Sequence, residues 1–418
     1  MKKITAVSIF FTIIFSFILS LSAVHAQWVQ QISGTSNVLT SVKLTDANTG
    51  FAVSQEGGIF KTTNGGAIWT AQISGTTDIL KGVSFVDANT GFAVGGPGRI
   101  ILKTTNGGAN WIPRTLIGTD YLYAVQMLNA NTGYAVGTIG LIQKTTNGGT
   151  NWSAQASGAS ETFLGLNFIN ENTGYAFGFN GTIRKTTNGG AAWIILTSGT
   201  TGNLHTGQFF DINNGYVAGT VGRFLRTTNG GVNWTSLPTG TSNSFLGMSF
   251  SDMNTGIVVG TTGTIRRTTN GGASWTEQTS GVTVTLNSVN FVNANIGTAV
   301  GISGTILRTS NGGATYISSS QNEVPASFNL EQNYPNPFNP STIINYSLPV
   351  QSYITLAVYN SIGVEVRALV NDFLQAGNYN IVWDGKDNSG AAAAGGIYFY
   401  SLRTENGMVF SRKMLLLK

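Results

Sequence analysis

Three carboxylates fall at one repeated position of this chain. Nine residues ahead of a recurring turn Asp or Asn, successive copies of a repeat carry Asn37, Asp78, Asp120, Glu161, Gly202, Asn243 and Val284. Asp78, Asp120 and Glu161 thus belong to consecutive copies, in loops leading into the first strand of each. On a closed seven-fold ring of radius about 8–10 Å, neighbours there stand roughly 7–9 Å apart, overlapping the acid–base separation of inverting glycoside hydrolases. The same set, with Asn37 and Asn243, also suits glycan or cation binding, or simply polar loops in water. A second set is basic. Lys61, Lys103, Lys144, Lys185, Arg226, Arg267 and Arg308 each precede the same Asn-Gly-Gly box, so half of the Lys and Arg between 27 and 318 share one position. Such a ring suits an anionic polysaccharide or an acidic peptide. Alternatively, each side chain lies along its sheet and bonds neighbouring carbonyls or the Asp46, Asp87, Asp211 and Asp252 turns.

Other chemistry is sparse. Cysteine is absent, which excludes disulfides, thiolate nucleophiles and cysteine-ligated metals. Beyond the first 26 residues the only histidine is His205, at a position filled elsewhere by Thr40, Lys81, Tyr123, Leu164, Leu246 and Asn287. A Ser-His-Asp triad would have to use it. No metal site and no cofactor are expected. The net charge of +5, from 22 basic and 17 acidic residues in 418, is too dilute to indicate a nucleic-acid partner.

The elements that must position these residues follow from a repeat. Trp28, Trp69, Trp111, Trp152, Trp193, Trp234, Trp275 and Tyr316 are spaced 41 or 42 residues apart, and all after the first follow an Asn-Gly-Gly box. An Asn-x-Gly turn with a short apolar run recurs at Gly50, Gly91, Gly133, Gly174, Gly215, Gly256 and Gly297. Each copy reads as four short strands, in the second copy Leu80 to Phe85, Gly91 to Val94, Ile100 to Thr104 and a fourth starting at Trp111. Four strands in about 41 residues, seven times over, specify a seven-bladed β-propeller. Only 9% of residues are charged, against about 25% in an ordinary domain, and 55 are glycine, as tightly turned blades packed face to face require. Eight Trp-type strands serve seven blades. The strand after Trp28 keeps the consensus that Tyr316 loses, so the N-terminal strand is expected to complete the last blade beside Leu307 to Ser310 and hide its edge.

Both ends read as addresses. Met1-Lys2-Lys3, the apolar run Ile9 to Leu21 and the small residues Val24 and Ala26 form a secretory signal over residues 1–26, leaving no transmembrane segment after cleavage. The propeller spans 27–317, a polar linker 318–327, and residues 328–418 alternate like a small Ig-like β-sandwich.

Two resemblances attach to these motifs. The Thr-x-Asn-x-Gly-x-x-Trp pattern, as at Thr62, Asn64, Gly66 and Trp69, resembles the Asp-box or bacterial neuraminidase repeat with Asn at the Asp position. The longer unit, with Asn-Thr-Gly-Tyr-Ala-Val-Gly ahead of it, resembles the photosystem II stability and assembly factor propellers over residues 28–316. It implies the fold far more than an activity, because the neuraminidase arginine triad and Tyr/Glu pair have no counterparts here. Leu330 to Pro340, Val358-Tyr359-Asn360, Trp383-Asp384-Gly385, Gly396-Ile397-Tyr398 and Lys413 to Lys418 resemble the type A C-terminal sorting domain of the type IX secretion system. That implies delivery across an outer membrane, with the secretion machinery as partner of 328–418. The expected protein is an exported, cell-surface or extracellular binding or scaffold module for a polysaccharide or surface protein. An extracellular glycoside hydrolase of the Asp-box type is the alternative.

Overall fold

The computed structural model describes residues 28–114, 118–313 and 325–417. The expected signal at 1–26, Tyr316 and positions 318–324 of the expected linker lie outside them. The chain divides into two compact units, with the break between Thr315 and Tyr316.

In the first unit, seven four-stranded antiparallel sheets form the blades. Blade 1 runs Leu39–Leu44, Gly50–Ser54, Ile59–Thr62 and Thr70–Gln72 from inner to outer strand. The inner strands of blades 2 to 7 are Ile79–Phe85, Leu122–Met127, Phe163–Phe168, Leu204–Phe209, Phe245–Phe250 and Leu286–Phe291. Consecutive inner strands touch, and the seventh touches the first, so they enclose a channel. Closure is as the surplus Trp strand requires: Val29–Gln31 pairs with the third strand of blade 7, Val29 opposite Arg308 and Gln31 opposite Ile306. One detail differs. Each outer strand begins after the Trp rather than at it, because the indole turns inward while the chain after it joins the ladder.

Burial explains the composition. The second strands, such as Gly133–Gly137, are buried at every residue, as strands covered on both faces must be. Between blades, the aromatic residue after the turn glycine of blades 1, 3 and 4 stacks on the phenylalanine ending the next inner strand, and the next blade's Trp meets that phenylalanine edge-on. Tyr175 lies 3.6 Å from Phe209 at 4°, and Phe209 lies 6.0 Å from Trp234 at 85°. Tyr134, Phe168 and Trp193 repeat this one blade earlier. Gly174 is required by that packing, since a Cβ there would sit 2.3 Å from the Phe168 ring.

Every inner strand carries one irregularity. The register slips between Leu39 and Ser41, Leu80 and Gly82, Leu122 and Ala124, and at the same place in the other four blades. The bulged residues are Thr40, Lys81, Tyr123, Leu164, His205, Leu246 and Asn287, all half-buried beside a fully buried neighbour. A bulge re-aims a side chain out of the pleat, here onto the face that meets the next inner strand. Thr40 Oγ1 donates to the carbonyl of Leu80 at 2.7 Å, and Asn287 Nδ2 to that of Leu39 at 2.8 Å.

The second unit is a β-sandwich. One sheet orders Asn329–Leu330, Thr342–Leu348 and Gly377–Trp383; the other orders Glu365–Leu374, Ser352–Asn360, Gly396–Thr404 and Val409–Leu416. Phe338, Trp383, Tyr400 and Met414 centre its core.

The closing strand generates a stability prediction. Trp28 is 2% exposed and packs on Phe291, with its indole N–H on Gln278 Oε1 at 3.2 Å. Trp28→Ala should lose about 3–5 kcal/mol in denaturant unfolding of the propeller; a loss below about 1 kcal/mol would show that the ring does not depend on this joint.

Candidate functional site

The blades give the propeller two unlike ends. At one end the first turn of a blade meets the box of the same blade: Gly65 N–H donates to Asn48 O at 2.9 Å, and all seven copies repeat this bond. Within the box, Thr62 Oγ1 donates to Asn64 Oδ1 and accepts from Gly66 N–H, and Asn64 Oδ1 also accepts from Ile68 N–H. The turn carboxylates cap their own loops, Asp87 from Asn89 and Thr90 N–H, both at 2.7 Å.

The basic ring belongs to this end too. Lys61, Lys103, Lys144 and Lys185 donate to the carbonyls of Gly107, Gly148, Gly189 and Gly230, in the next blade's box, at 2.6 to 2.9 Å. Each ammonium also stands over its own blade's aromatic ring, at 5.3 to 5.5 Å from the centroid. Arg308 reaches the carbonyl of Ala47, Arg267 approaches Gly312, and Arg226 is exposed. Burial lowers the pKa of Lys103 and Lys185. It also pushes the Tyr134 and Tyr175 hydroxyls up to about 12, helped by the negative charges of Glu171 and Asp211.

The opposite end holds what differs between blades. The loops leading into the inner strands, where Asn37, Asp78, Asp120, Glu161 and Asn243 sit, lie against the hairpin of the preceding blade. Arg99, Gly140 and Gly304 N–H donate to the carbonyls of Asp120, Glu161 and Asn37 at 2.8 to 2.9 Å. The side chains then diverge. Asp120 is engaged by the Arg99 guanidinium, with Nε at 3.0 Å. Asp78 accepts from Thr76 Oγ1 at 3.2 Å, and Asn243 Nδ2 donates to the hydroxyls of Thr262 and Thr264.

Sequence reasoning missed the hairpin tips. Thr138 O accepts from Leu141 N–H across Ile139 and Gly140, whose φ angles are 52° and 66°, a type I′ turn. Asn180, Val221, Thr262 and Ser303 occupy the Ile139 position with φ of 54° to 58°. Glycine is compulsory at the second place: at Gly57, with φ 72°, a Cβ would stand 2.1 Å from Thr76 O. The first place disfavours β-branched residues, yet Ile139 and Val221 stand there 71% and 68% exposed. The paired positive φ was the missing signal, and only the glycine half of it shows in sequence. Beside these tips an open groove of about 550 Å³ is lined by Asn180, Arg184, Ile195, Thr200 and Arg223 among others.

His205 sits at the channel-side bulge, where burial lowers its pKa and favours the neutral imidazole. Among the described residues no hydrogen bond joins it to a serine or a carboxylate, and no three His, Asp or Glu gather as a metal site. No helix of the described residues is long and apolar enough to cross a membrane.

Fold and site together define a seven-bladed propeller of Asn-box blades followed by an Ig-like domain. The chain belongs to the photosynthesis system II assembly factor YCF48 family, whose profile matches residues 21–163 and 232–328, more than half of it. A FlgD Ig-like domain matches residues 341–407. No curated protein matches the sequence. Among solved structures, YCF48 bound to D1 peptide is 22% identical, with 68% of this chain and 97% of that one covered at a TM-score of 0.59. YCF48 from Cyanidioschyzon merolae is 19% identical, with coverages of 68% and 98% and a TM-score of 0.58. The GH74 enzyme of Niastella koreensis is 15% identical, with coverages of 92% and 74% and a TM-score of 0.57. At these identities the likeness is one of fold.

The turn carboxylates generate a pH prediction. Hydrogen bonds from Thr90 and Asn89 hold the Asp87 carboxyl below its ordinary range, and those from Asn214 and Asn213 do so for Asp211. The folded state then takes up these protons less readily than the unfolded chain. The stabilisation is complete above the ordinary carboxylate pKa of about 4 and is lost as pH falls through the lowered folded values. Asn serves the same turn at Asn129, so Asp87→Asn with Asp211→Asn should fold and lose less stability than the parent between about pH 7 and pH 3 in urea melts. Equal losses would contradict the assignment.

Proposed function

We propose that this protein is an exported, non-catalytic binding module that holds an extended segment of a protein partner on the variable end of its propeller. The carrying observation is the pair of exposed apolar β-branched residues, Ile139 and Val221, kept in left-handed backbone at hairpin tips flanking blade 4. Strain of this kind, of order 1–2 kcal/mol per residue, gives nothing to the blade, whereas an apolar side chain held out in water is what a partner can bury. Arg223 in the adjoining groove favours acidic side chains in the same segment. The D1 peptide bound to a YCF48 structure supports a peptide rather than a polysaccharide as the ligand. Export rests on the signal-like N-terminus and on the resemblance of residues 328–418 to type IX sorting domains, with the secretion machinery as their partner.

Display of a random peptide library against the full chain tests the reading. Selected peptides should pair apolar with acidic residues. Ile139→Asn with Val221→Asn suits the turn better, so the variant should melt higher than the parent while losing most of the selected binding. Retained binding, or turnover of any substrate in a glycan-hydrolase panel, overturns the proposal. In a cell with type IX machinery the full chain should reach the surface and a chain ending at residue 327 should not; equal delivery of both removes the export half.

A further inference from the structure

The channel carries a charge imbalance that the peptide reading does not use. The seven inner strands contain no Asp or Glu, and their charged side chains are Lys43 and Lys81, with His205 and Tyr123 the remaining ionisable groups. Lys43 interrupts a pattern. At its position in the other blades stand Ser84, Gln126, Asn167, Gln208, Ser249 and Asn290, and each accepts a hydrogen bond from a backbone N–H of the next blade's inner strand. Gln126 and Gln208 make a second bond to the carbonyl of the same residue. A charged ammonium has no lone pair and cannot accept, so at this joint the next strand's N–H is not served from blade 1.

Lys43 is half-buried, and burial lowers its pKa, yet among the described residues it makes no hydrogen bond or ion pair. Lys81 stands on the neighbouring inner strand, about three residues or 10 Å nearer the variable mouth. Burial lowers its pKa too, and its ammonium has only the Tyr123 ring, 5.8 Å away. Of the mouth carboxylates, Asp120 is engaged by Arg99 and Asp78 by Thr76, and among the described residues no ion pair joins Asp78, Asp120 or Glu161 to either lysine. Two half-buried cations without a counter-charge repel each other across adjacent strands, and a bound anion offsets that repulsion.

We infer that the channel takes up a small oxyanion, a carboxylate, sulfate or phosphate group, seated on Lys43 and admitted past Lys81. The variable end supplies the opening, because Lys81 stands on the adjacent inner strand nearer that end than Lys43 does. The site is independent of the hairpin tips and their peptide.

Thermal melting of the full chain in sodium phosphate, sulfate or acetate, against chloride at equal ionic strength, tests the site. At least one oxyanion should raise the melting temperature with saturation. A sulfate arm and a sugar-sulfate arm separate a free ion from a group carried on a larger molecule. Lys43→Gln installs the residue that blades 3 and 5 use, so it should melt higher in chloride and lose the oxyanion-dependent rise. Lys81→Gln, at the mouth, should keep the fold and weaken the saturating response about tenfold. Arg184→Gln with Arg223→Gln, in the outer groove, should leave it unchanged. The inference fails if no oxyanion exceeds chloride, if both lysine variants keep the full response, or if the arginine variant abolishes it.

Discussion

The structure depends on how each blade satisfies the backbone of the next. Half of the N–H groups of an antiparallel inner strand point away from their own ladder, and in a closed ring they point at the neighbouring blade, where an unserved donor is costly. Six of seven joints solve this with a side-chain acceptor placed one residue before the inner strand's last apolar position, as when Gln126 Oε1 receives Phe168 N–H at 2.8 Å. That bond fixes the height of one blade against the next. Once the height is fixed, the Tyr134–Phe168 stack, the Trp193 edge contact and the Lys144 bond to Gly189 fall into register at successively larger radius. A blade shifted by one residue would lose all of them together, because a strand slip exchanges its two faces.

This hierarchy explains what the sequence made legible. Blade number, ring closure and the Asn box could be read because each rests on local geometry repeated seven times, and a period of 41 survives any substitution outside the box. The strand after Trp28 could be assigned to the last blade because eight Trp-type strands compete for seven outer places and it keeps the consensus that the Tyr316 strand loses. The bulges could not be read. A residue pushed out of the ladder leaves no compositional trace when Thr40, Lys81, Tyr123, Leu164, His205, Leu246 and Asn287 all occupy it. Lys43 was silent for a related reason: its meaning lies in the acceptor it replaces, which appears only once Gln126 and Asn167 are seen to bond the next blade. The carboxylates were visible as a set, but Arg99, which engages Asp120, belongs to the irregular hairpin of the second copy, where the period fails.

The C-terminal unit separates motif from message. Several residues that mark it in sequence are consumed by its fold, while Tyr334 of the same run stands exposed. Asn333 is buried, its N–H on the Tyr400 hydroxyl at 2.7 Å and its Nδ2 on Thr342 Oγ1 at 2.9 Å. Phe338 is buried against Trp383, and its backbone bonds those of Leu415 and Leu417, which ties the Asn-Pro-rich strap to the last strand. Such residues report that the sandwich forms. Whatever reads the unit must read its surface, where Tyr334, Ile343 and Val382 stand exposed, with Ile343 directly opposite the other two across neighbouring strands.

Repetition also bears on where function can sit. In a single-copy fold, a strained turn or an unserved donor threatens a stability of only 5–15 kcal/mol. Here the same box, stack and clamp recur around the ring, so departures at a few joints leave the others intact. The departures collect on one side. The box end keeps Thr, Asn and two glycines in every blade because its bonds are mutual: changing one partner strands the other. Hairpin tips and bulges are held less uniformly: the turn is set by the glycine beside the tip, and the ladder closes around the bulged residue whether it bonds the next strand, as Thr40 and Asn287 do, or is a leucine, as at Leu164 and Leu246. Those are the positions where a side chain is free to answer to something outside the protein. The isoleucine and valine at two tips and the lysine at one acceptor position are choices that the scaffold's own packing does not explain.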